Sequence, residues 1–251
     1  MLSSQRKHLF TASEIYKLIS NGSSYEPCEF STEYTCYELT RDNGYIAITE
    51  PPKKGKKCYR YNDLYLTDGA IDYAIEKANA VLYYDREEPQ LETFAIRYGR
   101  ENEYQAIEWL KTQGRDLVFT GDNQEFFTHS SGMMGATPDA VELNDSFLPC
   151  AVWDIKTPSQ KTHTLNCHYL KNHLDLKKRH ASYYWQGLCQ MECTNANVFF
   201  WCSFAPDKIT HNHRAHIIEI KRELVQDDIN FMLKCVKKAH EFKLAIIEEM
   251  K

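Results

Sequence analysis

The sequence predicts an α/β protein in which helices flank a central mixed β-sheet, and three observations carry that reading. Residues 150–156 alternate strictly and follow a turn that closes 139–143, which suggests an antiparallel strand pair. Residues 196–204 form an almost unbroken apolar run, the pattern of a strand buried on both faces. Residues 92–113 and 224–250 carry apolar side chains at helical spacing. A chain of 251 residues is long enough for one large domain with a substantial core, and its 43% hydrophobic and 26% charged content is that of a globular protein. There is no internal repeat or block of low complexity. Met1 to His8 lacks an apolar signal core and no later apolar run reaches bilayer length, so an intracellular protein without a membrane partner is expected.

Taken from the amino terminus, Thr11-Ala-Ser13-Glu14 has the form of a capping box ahead of an amphipathic turn, Ile15, Leu18 and Ile19, that stops at Asn21-Gly22. A short helix is expected there. Its first-turn amides, the Ser13 hydroxyl and Arg6 together make a seat for a phosphate, although an ordinary capped surface helix fits the same residues equally well. Residues 23–62 are rich in Tyr, Ser, Pro and Gly, with a hairpin turn at Arg41-Asp-Asn43-Gly44, and read as an insertion into a single domain spanning 1–251. Residues 63–84 place Leu64, Ile71, Ile75, Ala78 and Leu82 along one stripe, predicting a packing helix. In the helix expected at 92–113, Ala106, Ile107 and Leu110 form the apolar stripe and Glu103 falls on it. An inward carboxylate needs a cation, a hydrogen-bonding partner or a site to serve; a slight turn of the helix would instead leave Glu103 at an exposed edge.

The densest chemistry lies in Gly135 to Pro158. Thr137-Pro138 leads into a strand, Asn144-Asp145-Ser146 has turn chemistry, and along 150–156 Cys150, Val152, Asp154 and Lys156 share one face while Ala151, Trp153 and Ile155 take the other. If the hairpin closes, Asp139 lies across from the first face, and two carboxylates reach one hard divalent cation with Lys156 beside it. Such oxygen ligands suit Mg²⁺. A surface hairpin with a solvated ion pair would use the same residues. Downstream, Ala181 to Met191 reads as a helix with Gln186 and Gln190 one turn apart, Arg214 to Lys221 alternates as a strand, and 224–250 is a closing helix with Ile229, Leu233, Val236 and Ile247 inward.

A net charge of -5 argues against nucleic-acid binding by bulk charge alone. Local charge differs: 159–180 carries Lys161, Lys171, Lys177, Lys178 and Arg179 against Asp175, and Lys53 to Lys57 is a second basic cluster. Either segment could track phosphates or be a solvated loop. The nine cysteines are odd in number and irregularly spaced, and Cys150, Cys189, Cys202 and Cys235 sit in apolar patterns, so reduced thiols are expected. No Cys-x-x-Cys pair occurs, the nearest being Cys189-x-x-x-Cys193, and an iron-sulfur cluster is not expected. His211, His213 and His216 lack cysteine partners at a metal-binding spacing and read as a turn and a strand edge.

Pro138-Asp139 with Asp154-Ile155-Lys156 resembles the PD-(D/E)xK nuclease signature, and the order of features along nearly the whole chain resembles the phage-lambda-type, YqaJ-like exonuclease family. The features that match are Arg6 before Thr11-Ala-Ser13-Glu14, Gly99-Arg-Glu-Asn-Glu103, the metal core with Pro158, Tyr183-Tyr-Trp-Gln186 with Gln190-Met191, and an apolar strand ending in Ala205-Pro206-Asp207. The chain departs from the family in Asp154, where Glu is frequent, in Ala140, where Gly is frequent, and in the size of the 23–62 segment. The resemblance implies a PD-(D/E)xK core in which Glu103, Asp139, Asp154 and the Ile155 carbonyl hold Mg²⁺, with Mn²⁺ as a substitute. It further implies that Lys156 and Gln186 serve the attacking water and the phosphate, and that Arg6, Ser13 and Tyr183 contact DNA. The implied reaction is 5' to 3' digestion of linear duplex DNA by a trimeric ring, giving 5'-mononucleotides and passing the single strand to an annealing protein. A viral member would work in the compartment of viral DNA replication. Three other readings use the same residues: a structure- or site-specific endonuclease, an iron-sulfur helicase-associated nuclease, and a non-catalytic DNA-end-binding protein.

Overall fold

The computed structural model describes residues 6–19, 25–40, 44–62, 65–83, 94–206 and 213–251. In chain order these form β1 (Phe10–Thr11), a 3-10 helix (Ala12–Leu18), β2 (Tyr25–Cys28), β3 (Cys36–Leu39), β4 (Tyr45–Ile48), β5 (Cys58–Tyr61), α1 (Asp68–Leu82) and α2 (Phe94–Thr112). There follow β6 (Phe127–Thr128), β7 (Met134–Ala136), β8 (Ala140–Leu143), β9 (Pro149–Lys156), α3 (Gln160–Tyr169), α4 (His173–Arg179), α5 (Ala181–Thr194), β10 (Val198–Phe204), β11 (Ala215–Lys221) and α6 (Gln226–Glu249). None of these helices is long and apolar enough to cross a membrane.

The central sheet has the order β11-β10-β9-β8, with β9 and β10 parallel and the outer pairs antiparallel, so the fold is the mixed α/β arrangement expected. The predicted hairpin forms with Ala140 opposite Trp153, and its turn is held by the Asn144 side chain, which accepts from the amides of Ser146 (2.9 Å) and Leu148 (3.1 Å). Strand alternation then sorts the core. Val141, Val152, Phe199, Trp201, Ile218 and Ile220 pack with the buried sides of α5 and α6, while Ala140, Ala151, Trp153, Phe200 and Phe204 pack with Ala106, Ile107 and Leu110 of α2. Gly187 lets α5 lie directly on the sheet, since a Cβ there would sit 1.9 Å from the Phe199 ring. A second, three-stranded sheet, β1-β7-β6, supports the chain just ahead of Asp139. Residues 25–61 form their own antiparallel sheet, β2-β5-β3-β4; β3 and β4 pair as the predicted hairpin requires, and the turn residues 41–43 lie outside the described residues.

Three local expectations are corrected. The capping box does not form: the Thr11 hydroxyl lies 3.2 Å from that of Tyr73, and Glu14 pairs with Lys17 instead of turning back to Thr11. The buried residues Ala12, Ile15 and Leu18 recur every third position, the repeat of a 3-10 helix, so the segment winds tighter than the α-helix a capping box would start. In α1 the buried face is Ala70, Tyr73, Ala74, Lys77 and Ala78, whereas Ile75 is exposed and Ile71 half-buried. Small alanines let α1 approach its neighbours closely and Tyr73 accepts a hydrogen bond from the Thr11 amide, a contact that the isoleucine stripe could not make; Leu64 lies outside the described residues. The basic segment 159–180 is not a loop but α3 and α4, in which Lys177 pairs with Asp228 and Arg179 stacks over Tyr169.

Candidate metal centre

Asp154 lies at the middle of the site because β9 carries it on the face that α5 covers, where it is completely buried. One of its oxygens, Oδ1, accepts from Gln186 Nε2 at 2.7 Å, from Gln190 Nε2 at 3.4 Å and from Lys156 Nζ at 2.9 Å. The other, Oδ2, also has Lys156 Nζ at 2.9 Å, but without hydrogen-bond geometry, and has no hydrogen-bond donor among the described residues. A buried carboxylate is costly unless something positive meets it, and among the described residues Lys156 is the group that does so here.

Two further carboxylates lie near enough to Asp154 to feel its charge. Asp139 precedes Ala140, whose partner is Trp153, so the hairpin register sets Asp139 across from Asp154 on the same face. Its Oδ2 accepts from the Ile155 amide at 2.6 Å. The N–H and C=O of one residue in an extended strand point to the same side, so the Ile155 carbonyl faces this carboxylate edge as well. Glu103 comes from α2. The helix turns so that Asn102 is buried while Glu103 stands half-buried at the rim, where its Oε1 accepts from Gln124 Nε2 at 3.0 Å. The inward face expected for Glu103 is thus an edge that opens onto the site.

The charges of these groups act on one another. Burial, reinforced by Asp154, holds the Asp139 carboxyl well above the usual carboxylate range, and burial raises Glu103 too, with Lys156 pulling it back. Burial alone would lower Lys156, but the carboxylates of Asp154 and Asp139 more than offset this and keep its ammonium charged. Three acids crowded around one lysine leave an excess of negative charge that a divalent cation would neutralise. The donors are oxygens, hard ligands of the kind Mg²⁺ and Mn²⁺ take, and the residues fit such an ion.

A cleft of about 250 Å³ adjoins the centre, lined by Arg6, Thr11, Ser13, Phe126, Gly135, Thr137 and Gln186. Gln186 belongs to both. The Phe126 ring rests on Gly135, where a Cβ would come within 2.2 Å of it, and the Arg6 guanidinium lies 4.8 Å from the ring centroid. This stacking holds Arg6 at the cleft while its buried Nε has no hydrogen-bond partner among the described residues. Tyr183 sits one turn before Gln186, with Lys156 Nζ 5.1 Å from its ring centroid and Trp201 stacked behind it.

The sequence residues Glu103, Asp139, Asp154, Ile155, Lys156 and Gln186 are therefore brought together, and Arg6, Ser13 and Tyr183 border them. Gln190 bonds the same carboxylate oxygen as Gln186, and Gln124 holds Glu103. The i, i+4 spacing of the glutamines was the signal for Gln190; nothing in the sequence marked Gln124. Of the three histidines, His216 donates through Nε2 to the Leu170 carbonyl at 2.7 Å, the His213 carbonyl accepts from His163 Nε2 at 2.8 Å, and His211 lies outside the described residues.

No family model matches this chain, and no curated protein does. Solved structures do. An alkaline exonuclease from Laribacter hongkongensis, LHK-Exo, is similar over 97% of this chain and 92% of its own, with a TM-score of 0.59 and 16% identity. The same exonuclease in complex with dAMP gives a TM-score of 0.57 at 16% identity over 98% and 91%. A phage-related exonuclease from Haemophilus somnus 129PT gives 0.59 at 15% identity over 97% and 96%. The chain thus shares its overall fold with these exonucleases over nearly its whole length.

Proposed function

We propose that this chain is a Mg²⁺-dependent deoxyribonuclease of the lambda-exonuclease type, with Mn²⁺ as a substitute ion, which digests linear duplex DNA 5' to 3'. Its products would be 5'-mononucleotides and a single strand for recombination or annealing. The observation that carries this reading is that strand pairing sets Asp139 across from the buried Asp154 beside Lys156, with Glu103 at the rim close enough to feel the charges of both Asp154 and Lys156. In this reading these carboxylates and the Ile155 carbonyl hold the ion. When bound, the ion supplies Lewis-acid polarisation of the scissile phosphate and a lowered pKa for its water.

The chain's own groups do the rest. Lys156, kept charged by Asp154 and Asp139, sits where it can orient the attacking water and offset charge that develops on the phosphoryl oxygens. Gln186, fixed by its bond to Asp154, presents its remaining amide atoms at the boundary with the cleft. Arg6 and Ser13 receive the terminal phosphate, and Tyr183 gives the DNA a flat apolar surface. The dAMP complex of LHK-Exo, a deoxynucleoside monophosphate on a protein of the same fold, supports a nucleotide product. The family resemblance also suggests a trimeric ring and an annealing partner, with 23–62 as an insertion in one nuclease domain.

A time course on end-labelled linear duplex and on a covalently closed circle, with Mg²⁺ or with chelator, tests this. Mononucleotides released from linear DNA alone, and only with the ion, are expected. Equal attack on the circle would make the chain an endonuclease, and tight end binding without hydrolysis would make it a DNA-end-binding protein.

A further inference from the structure

The separate sheet of residues 25–61 has two unlike faces. Tyr25 stacks on Tyr45 and meets Tyr37 and Tyr61 edge-on, so one face is made of tyrosine rings. On the other face Cys28 lies directly opposite Cys58 in the β2–β5 pair, and Cys36 lies diagonally across from Cys58 on β3. Within the strands β2 to β5, Cys36 and Cys58 are the only residues that are fully buried. A sheet of four short strands with no buried aliphatic side chain has little core of its own, and small units of this kind are commonly stabilised by a metal or a disulfide.

The thiol geometry distinguishes these two. The Sγ atoms of Cys28, Cys36 and Cys58 all lie within 4.8 Å of one another, and Cys28 Sγ is 3.7 Å from Cys58 Sγ. Zinc–thiolate bonds of about 2.3 Å place neighbouring sulfurs about 3.8 Å apart at the corners of a tetrahedron. The Cys28–Cys58 separation is that edge, and all three thiols are free. The Ser31 amide points at Cys36 Sγ, at 3.4 Å, as a donor that a thiolate could keep, while the bond from the Cys36 thiol to the Ser31 carbonyl, also 3.4 Å, would be given up with the proton. Soft sulfur ligands select Zn²⁺ over the hard ions suited to the carboxylate centre.

We infer that Cys28, Cys36 and Cys58 form a three-thiolate zinc site that staples the 25–61 sheet, with a water at the fourth corner. Binding would exchange up to three thiol protons, released to buffer, for one Zn²⁺, with no change of oxidation state. The inference is independent of the nuclease reading.

The test uses the full chain, purified under reductant without chelator and with zinc in the growth medium. Metal analysis should find one zinc per chain that Cys36→Ser and Cys58→Ser lose. In the wild-type protein, alkylation mapped by mass spectrometry should be slow at Cys28, Cys36 and Cys58 when zinc is present. It should become at least tenfold faster at those three positions after chelation, a readout that needs no variant to fold. Equal alkylation with and without zinc would overturn the inference, as would zinc content unchanged in Cys36→Ser, iron in place of zinc, or a Cys28–Cys58 disulfide in the reduced preparation.

Discussion

Replacing Arg6 by Ala should remove the preference for a 5'-phosphorylated DNA end while leaving hydrolysis itself in place. The Arg6 guanidinium is stacked 4.8 Å from the Phe126 centroid at a cleft it shares with Ser13 and Gln186, and its Nε has no hydrogen-bond partner among the described residues. A terminal phosphate carries more charge than an internal diester, and one charge-assisted hydrogen bond contributes roughly 1.5–3 kcal/mol. At about 1.4 kcal/mol per tenfold, the wild type should digest phosphorylated ends roughly 10- to 150-fold faster than hydroxyl ends at subsaturating DNA. In Arg6→Ala this ratio should fall toward one. The variant also loses its stacking on Phe126, worth about 0.5–1 kcal/mol at an exposed site, but that loss affects both substrates alike and cancels in the ratio. The assay is a paired digestion of otherwise identical labelled duplexes by each protein. A wild type indifferent to the end group, or an Arg6→Ala protein that keeps the full preference, would refute the phosphate seat.

Lys156→Ala should lower Mg²⁺-dependent hydrolysis by about a hundredfold or more while circular dichroism shows a folded protein; near-normal turnover would remove Lys156 from the mechanism. Glu103→Gln should keep its bond to Gln124 and its stability but weaken activation by Mg²⁺, and an unchanged Mg²⁺ titration would make Glu103 a rim residue only. Asp139→Asn should stabilise the metal-free protein near neutral pH. A carboxyl raised by burial and by Asp154 contributes stability that is complete below its unfolded pKa and lost as pH rises through the folded one. The advantage of Asp139→Asn in urea denaturation with chelator should therefore grow from acidic to neutral pH, and a flat difference would contradict the crowding of charge. Gly187→Ala should cost about 1–3 kcal/mol, because its Cβ would overlap the Phe199 ring; an unchanged denaturation midpoint would mean that α5 shifts freely on the sheet.

What the sequence determined by itself was local. Alternation along 150–156 put Asp154 and Lys156 on one face, Asn144 closed the turn, and the fixed period of the strand then carried Asp139 to the same surface. The glutamines of α5 were legible for the same reason, since a spacing of four places both on one side of a helix. Tertiary structure decided whatever depends on which neighbour a face meets. It chose the alanine side of α1 over its isoleucines because Tyr73 bonds the Thr11 amide, and it wound residues 12–18 as a 3-10 helix in place of a capped α-helix. It brought Gln124 to Glu103 and gathered Cys28, Cys36 and Cys58 from three strands into one cluster. Spacing along the chain measures proximity only within one element, whereas strand pairing joins residues through hydrogen bonds that leave no period in the sequence.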